Sequence, residues 1–204
     1  AGEGNLVSGN ATGDGIGLID GGSHVVRGNR VGTDAAGTAA LANAARGIFV
    51  SNSANNVIGG TGAAGNVVSG NTQAGVYVTG AGATGNVLRG NRIGTDAGGT
   101  LSLGNGAGNE GGGVWIGGGA TGATIGGTGA GEGNTIANNY GNGVLMTGVT
   151  SGLVQGNTIT GNFDPSPAPV PNIGAGVAIE NASGVTVGGT AAGARNVLSG
   201  NQTQ

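Results

Sequence analysis

The chain has 204 residues, of which 53 are glycine, 4 are proline and none is cysteine, and its formal net charge is −3. Glycine does not recur at every third position, which excludes a collagen triple helix, and no apolar run approaches the ~20 residues of a membrane-spanning helix. Six arginines, no lysine and nine acidic residues provide no basic field for phosphates, so we expect no nucleic-acid partner.

An internal repeat organises the chain. Asn5, Asn66, Asn134 and Asn196 each end a tetrapeptide of mostly small residues and precede a short apolar strand, at intervals of 61 to 68 residues. Each unit divides into two halves of roughly 30 residues, and each half contains three short β-branched strands. The first strands contain Val26, Ile58, Leu88, Ile125, Val154 and Val187. The second strands contain Val7, Val31, Val68, Ile93, Ile136, Ile159 and Leu198. The third strands begin at Ile16, Ile48, Val76, Val114, Val144 and Val177.

Three such strands, joined by glycine and asparagine corners, form one coil of a parallel β-helix. Side chains alternate in and out along a strand, so the inward residues of successive coils form ladders with steps of ~4.8 Å. Along the third strands the predicted ladders are Ile16-Ile48-Val76-Val114-Val144-Val177 and Leu18-Val50-Val78-Ile116-Met146-Ile179. Corner ladders of hydrogen-bonded amides are predicted at Asn10, Asn29, Asn71, Asn91, Asn139, Asn157 and Asn201. We therefore predict an all-β solenoid of about six to seven coils, forming a single domain over residues 1–204.

Long inserts interrupt every second coil between its second and third strands. They span residues 34–46, 96–112 and 162–175, and the last contains all four prolines. Because strands resume in register after each insert, we expect surface loops on one flank and not linkers between domains. The chain begins at a second strand and ends where a third would follow. We therefore expect an excerpt of a longer repeat array, or a helix that associates end to end.

The repeat resembles the right-handed parallel β-helix repeats of the pectin-lyase-like superfamily. The resemblance is carried by the segments NVVSGN (66–71), RIGTDA (92–97) and NVIGGT (56–61). It is similar in particular to the large secreted or surface proteins of bacteria that contain many such repeats. The resemblance implies a right-handed helix and an extracellular or cell-surface location. It leaves the activity open, since the same scaffold serves lyases, hydrolases, epimerases and adhesins.

One polar constellation occurs twice, two coils apart on one face. Its members are Arg27, Arg30 and Asp34, with Arg89, Arg92 and Asp96 as their equivalents 62 positions later. Two arginines beside an aspartate could bind an acidic sugar, with arginine as a base and aspartate as a calcium ligand. The alternative is ion pairing across the corner where the insert begins. Gln155 and Thr158 replace the arginines in the third repeat, which favours the structural role.

No catalytic residue, metal site or cofactor is predicted. His24 is the only histidine, and no carboxylates cluster around it in the sequence. Hydrolases of the superfamily use several clustered aspartates, and its calcium-dependent lyases use aspartates on adjacent coils beside a basic residue. Asp14 and Asp20 flank one third strand, but the next coil has Arg46 and Ser51 at the comparable places.

Three of the five aromatic residues occupy one outward register. Phe49, Tyr77 and Trp115 are the middle residues of consecutive third strands. Because their neighbours point inward, the three rings are predicted to form an outer column with steps of roughly 5 Å. An exposed aromatic row offers flat apolar surface to sugar rings or to another protein. The competing interpretation is that the inserts ending at Arg46 and Gly112 cover the rings, which then extend the core.

These patterns favour a structural or adhesive module of a secreted or cell-surface protein that binds a glycan or a protein partner on its outer face. The alternative is an extracellular lyase, hydrolase or epimerase that acts on polysaccharide at the arginines and acids beside the inserts. A single polar cluster would distinguish the enzyme, and the sequence contains none, so we favour a non-catalytic module. An ice-binding face is disfavoured because Thr61, Thr128 and Thr190 recur only on alternate coils.

Overall fold

The chain winds into a solenoid with three parallel β-sheets as its walls. The computed structural model describes residues 4–107, 111–163 and 174–202. Successive coils add one strand to each sheet, and every strand pairs in parallel with its equivalent one coil away. No helix in the described ranges has the length and apolar character needed to cross a membrane. The predicted all-β helix of stacked coils is confirmed.

The strands are short, and their bounds follow the repeat. Sheet 1, built from the first strands, contains β3 (Val25–Val26), β6 (Val57–Gly59), β9 (Val87–Arg89), β12 (Ala123–Gly126), β15 (Gly152–Gln155) and β18 (Val185–Val187). Sheet 2 contains β1 (Leu6–Val7), β4 (Arg30–Val31), β7 (Val67–Val68), β10 (Arg92–Ile93), β13 (Thr135–Ala137), β16 (Thr158–Thr160) and β19 (Val197–Ser199). Sheet 3 contains β2 (Ile16–Gly22), β5 (Ile48–Ala54), β8 (Val76–Thr79), β11 (Val114–Gly117), β14 (Val144–Thr147) and β17 (Val177–Glu180). A 3-10 turn, Gly62–Ala64, lies between β6 and β7.

Apolar ladders fill the space between the sheets. In sheet 3, Ile48 pairs with Ile16 on one side and with Val76 on the other, and both predicted ladders continue in this register to β17. The largest side chains without solvent contact are Ile48, Ile58, Leu88, Ile93, Ile116, Ile125, Ile136, Met146 and Ile159. Burial of each such side chain stabilises the fold by about 1.5–3 kcal/mol. A narrow apolar core therefore forms although the chain is more than a quarter glycine.

Two asparagine ladders line two inner corners of the helix. The first consists of Asn5, Asn29, Asn66, Asn91, Asn134, Asn157 and Asn196. The second consists of Asn10, Asn43, Asn71, Asn105, Asn139, Asn162 and Asn201. The predicted corner ladders are confirmed, but the prediction identified only alternate members. Asn43 and Asn105 lie near the ends of two predicted inserts, so the chain rejoins the coil earlier there than expected. Asn162 is the first residue of the third predicted insert and closely follows β16, so that insert begins later than expected.

Glycine is required where the backbone turns close to these ladders. Gly32 and Gly94 follow β4 and β10 with φ of +88° and +91°, a conformation that side chains disfavour. A Cβ at Gly32 would also collide with the side chain of Asn71, and one at Gly94 with that of Asn139. The repeated glycine corners therefore have a steric cause.

The first two inserts form short hairpins that contact each other. Thr33 bridges Ala40 in the first hairpin, and Thr95 bridges Ser102 in the second, both antiparallel. The tips meet because the N–H of Ala97 donates to the carbonyl of Gly37 at 2.8 Å. The two inserts thus form a continuous wall along one flank of the helix. Most of the third predicted insert, residues 164–173 with all four prolines, lies outside the described residues.

Candidate functional site

Four of the six arginines lie in two rows at the edge where sheets 1 and 2 meet. Arg30 and Arg92 both pair with Val67, one from each side, so they occupy the same register two coils apart. Arg89 pairs with Gly59, and Arg27 continues the same register two coils away. Two coil steps correspond to about 10 Å. The repeat therefore converts a 62-residue spacing in sequence into a short spacing on the surface.

Each row borders a surface groove. The sheet-2 groove has a volume of about 410 Å³, and Arg30 and Arg92 line it together with Val67, Ala97 and several backbone glycines. A second lobe of about 270 Å³ shares Gly62 and Arg92 with this groove and continues it toward β13.

The sheet-1 groove lies on the other side of the 3-10 turn. It has a volume of about 330 Å³ and is lined by Arg27 and Arg89, with Ala64 of the turn. No acidic side chain of the part of the chain that the structure describes lines either groove. Both grooves therefore offer cationic groups beside exposed peptide backbone.

The four arginines differ in their partners. Arg89 donates from Nη1 to Oε1 of Glu132 at 2.7 Å, an ion pair between half-exposed side chains. Gly28 donates to the carbonyl of Ala64 as Gly90 donates to that of Glu132, so Ala64 occupies the equivalent place beside Arg27, which lacks this acidic partner. The Arg30 side chain lies against Gly37 at the tip of its hairpin, and its buried Nε has no hydrogen-bond partner among the described residues. Three of the four guanidinium groups are thus free of carboxylates within the described ranges.

The two predicted acidic members turn away from the grooves into their own hairpins. Oδ1 of Asp34 accepts the backbone N–H groups of Thr38 at 2.8 Å and Ala39 at 3.2 Å. These hydrogen bonds hold the pKa of the Asp34 carboxyl below its ordinary value of 3.8. Neither the acidic-sugar site with an aspartate nor the Arg–Asp ion pair is formed at this corner in the described residues.

Asp96 repeats this arrangement at the base of the second hairpin. Its Oδ1 accepts the N–H of Leu101 at 2.8 Å and that of Thr100 at 2.6 Å. The Leu101 bond contributes most to a pKa below the ordinary value, against a smaller opposing effect of desolvation. The aspartates therefore shape the inserts, and the arginines alone are brought together.

The aromatic residues form a stacked column on sheet 3. Ring centroids are 5.8 Å apart between Phe49 and Tyr77 and 4.6 Å apart between Tyr77 and Trp115, whose planes differ by 27°. Tyr77 and Trp115 are stacked at close to the coil spacing, whereas Phe49 is tilted by 38° against Tyr77. All three side chains are half-buried. The three rings therefore contact one another in sequence along the column and are partly shielded from solvent.

Arg46, the last residue of the first insert, covers part of the column. Its guanidinium carbon lies 4.7 Å from the Phe49 centroid and 5.2 Å from the Tyr77 centroid, within the range of cation–π attraction. The backbone N–H of Arg46 donates to Oδ1 of Asp14 at 2.9 Å, and Nη1 approaches the same oxygen at 3.6 Å. The signal for this contact was the alignment of Asp14 and Arg46 in consecutive coils, which the sequence analysis noted only in its search for catalytic aspartates.

The described residues contain no group of three histidine, cysteine or acidic side chains placed to hold a metal ion. His24 precedes β3, and its backbone N–H donates to Oδ1 of Asn56 at 3.0 Å. It is therefore attached to the coil through its backbone and lies apart from any acidic cluster in the described ranges.

Comparison with known proteins identifies the family. No match was found among curated proteins or solved structures. A family model described as the right handed beta helix region matches residues 3–192, which includes all four arginines and the aromatic column. The match covers most of the chain and agrees with the three stacked parallel sheets. The chain therefore belongs to the right-handed beta helix family.

Proposed function

We propose that this chain is a structural and adhesive β-helix module of a secreted or cell-surface protein, and that it binds a glycan on its outer face. The observation that supports this proposal is the pair of grooves at the edge between sheets 1 and 2. Each groove extends across several coils and is bordered by two arginines in one register. An extended polymer that follows the helix axis fits this repeated geometry better than a compact ligand does.

The chemistry of the groove lining favours binding over catalysis. Guanidinium groups present several N–H donors in a fixed plane, and the glycine-rich floor presents backbone groups to a ligand. General acid–base chemistry on a sugar needs a carboxylate or a similar group within hydrogen-bond reach of the substrate. Asp34 and Asp96, the nearest acids in sequence, are engaged by their own hairpins. The site therefore supports a polysaccharide-active enzyme less well than it supports a binding module.

A steric block tests the proposal without changing charge. Ala63 is exposed in the 3-10 turn and lines the sheet-2 groove, so Ala63→Trp fills the groove from its rim. Binding to a panel of immobilised linear polysaccharides, neutral and acidic, would be measured by biolayer interferometry. We expect the wild-type chain to bind at least one polymer and Ala63→Trp to lose that binding.

The matched control is Ala192→Trp, at an exposed position in the equivalent loop between β18 and β19. This variant should bind like the wild type, with the same melting temperature as Ala63→Trp. Binding to no polymer by the wild type would contradict the proposal. Release of shortened chains from a bound polymer would instead assign the alternative, a polysaccharide-active enzyme.

A further inference from the structure

We infer that the ligand of these grooves is a linear acidic polysaccharide that lies along the helix axis and meets arginines at every second coil. This inference rests on the proposed function and adds the ligand's charge, its direction and the spacing of its contacts. The two rows, Arg27 with Arg89 and Arg30 with Arg92, are parallel because both follow the same repeat. A polymer with anionic groups at regular intervals can contact one row or both.

Spacing is the first argument. Arg30 and Arg92 project from the outer face of sheet 2 with only Val67 between them, so their Cα atoms are about 10 Å apart along the axis. Nε of Arg30 lies beside Gly37 and Nε of Arg92 beside Gly99, so the two side chains lie along different hairpins, and a bidentate contact with one carboxylate or sulfate involves one guanidinium group. Two arginines of one row therefore bind two anionic groups of the same chain. A monomeric acid would contact only one of the two arginines in a row.

Charge is the second argument. The protein as a whole has a net charge of −3, yet four of its six arginines lie on this one edge. Among the described residues, the acids around them are Glu132, which pairs with Arg89, and the two hairpin aspartates, whose carboxylates accept several backbone N–H groups. None of these carboxylates lines a groove. This local cationic strip attracts acidic ligands, although the net charge of the protein is negative.

The extent of the strip is the third argument. Two coils beyond Arg92 the equivalent position in β16 is Thr158, and two coils beyond Arg89 the equivalent position in β15 is Gln155. Both replacements keep a hydrogen-bonding group and remove the charge. The anionic groups of the ligand thus bind along the coils from β3 to β10. The coils beyond β10 can accept a neutral segment of the polymer.

Guanidinium groups recognise carboxylates and sulfates by the same planar geometry, so the anionic group can be either. Hyaluronate and dextran sulfate are the two acidic probes, and dextran is the neutral probe. We expect the wild-type chain to bind one or both acidic polymers and to bind dextran at least tenfold more weakly, on the scale of one charge-assisted contact. Binding of hyaluronate alone assigns carboxylates, and binding of dextran sulfate alone assigns sulfates. Both results support the inference.

Charge-neutral substitutions test the residues. Arg30→Gln with Arg92→Gln should weaken binding to the acidic probe by about tenfold to a hundredfold, since each lost contact involves an ionised donor. Arg195→Gln is the control, because Arg195 is exposed in the loop before β19, outside both grooves. Thr158→Arg extends the sheet-2 row by one step and should strengthen binding severalfold.

The outcomes separate this inference from the function on which it rests. Equal binding of dextran and the acidic polymers would overturn the inference and leave a glycan-binding module. An equal loss in Arg195→Gln and in the double variant would also overturn it, because a general charge effect would then explain both. Duplex DNA that binds as tightly as the acidic polymers, with the same dependence on Arg30 and Arg92, would replace the glycan by another polyanion. Failure to bind any polysaccharide would overturn both proposals.

Discussion

Asn66 donates from its side-chain Nδ2 to Oδ1 of Asn91 at 2.9 Å, and the same oxygen accepts the backbone N–H of Asn66 at 3.1 Å. The Nδ2 of Asn91 in turn donates to the carbonyl of Ile58 and to Asn134, both near 3 Å. Every member of the ladder thus connects neighbouring coils through backbone and side chain at once. Since the side chains between the two ends of the ladder are buried, these contacts stabilise the corner and specify the stacking register.

Asn91→Ala should therefore destabilise the helix strongly. It removes four side-chain hydrogen bonds, leaves the buried backbone N–H of Asn66 without an acceptor and leaves Nδ2 of Asn66 with the carbonyl of Val26 alone. We expect the free energy of unfolding to fall by about 3–5 kcal/mol, or the chain not to fold. Urea unfolding followed by circular dichroism measures the change.

Asn5→Ala is the control within the same ladder. Asn5 is exposed, and its side chain makes a single hydrogen bond, to Asn29. We expect a loss of about 0.5–1.5 kcal/mol. Equal losses in the two variants would contradict the role of the buried ladder.

The strands and inner ladders were predictable because alternation with period two is a local property of the sequence. Ile48 and Val50 must point the same way wherever β5 lies, so their ladders follow directly. Asn43 and Asn105 escaped prediction because a hairpin separates each of them from its second strand, whereas Asn71 and Asn139 follow their second strands directly. Only the hydrogen-bond pattern reveals that they occupy equivalent places.

The outer side chains were less predictable, because several partners lie within reach of each. Asp34 is near Arg30 in sequence and equally near the N–H groups of its own hairpin, and in the structure it accepts hydrogen bonds from the hairpin backbone. The aromatic column was correctly placed in one register by alternation. Its half-buried state depends on how the Arg46 side chain lies over the rings, which sequence alone does not specify.

The hairpin aspartates predict how stability depends on pH. The folded-state pKa of Asp34 and Asp96 is lowered from 3.8, so each carboxylate stabilises the fold above that value. This contribution is lost as the pH falls below about 4 through the folded-state pKa. Asp34→Asn with Asp96→Asn keeps an acceptor oxygen for the hairpin and removes the titration.

As the pH is lowered from about 4, the melting temperature of the double variant should therefore fall less than that of the wild type, because the variant has no carboxylate to protonate at these two positions. Differential scanning calorimetry at a series of such pH values measures the difference. If the melting temperatures of the two proteins fell in parallel as the pH was lowered, other acidic residues would control acid unfolding.

Trp115→Ala should reduce stability and leave groove binding intact. The substitution removes the stacking on Tyr77 and apolar contact in a half-buried position, and we expect a loss of about 1–3 kcal/mol. The column lies on sheet 3, whereas both grooves lie on sheets 1 and 2. Urea unfolding and polysaccharide binding are measured on the same preparation.

Leu145→Ala is the matched control, because Leu145 pairs with Trp115 in the next coil and is also half-buried, without a ring to stack. We expect it to lose less stability than Trp115→Ala. If Trp115→Ala abolished binding and kept its melting temperature, the aromatic column would be the binding face.

Chelators and calcium should have little effect on the coils. The buried corners are bridged by neutral amides and the interior is apolar, so the described interactions need no cation to balance charge. We expect the melting temperature with EDTA and with millimolar calcium to agree within a few degrees, a shift that corresponds to about 1 kcal/mol or less. A calcium-dependent rise of about ten degrees would indicate a site near Asp14, Asp20, Asp34 or Asp96.

Glu132→Gln should strengthen binding of an acidic polysaccharide. Glu132 holds Arg89 through Nη1 at 2.7 Å, and removing its charge frees this guanidinium group to contact an anionic group in the sheet-1 groove. The fold should tolerate the change, because an ion pair this exposed contributes only about 0–1 kcal/mol and glutamine can still accept the N–H of Gly129. Titration of hyaluronate or dextran sulfate by calorimetry measures the affinity, which we expect to rise severalfold. Glu180→Gln makes the same change in net charge on sheet 3, and an equal rise in that variant would show that overall charge, and not the release of Arg89, determines binding.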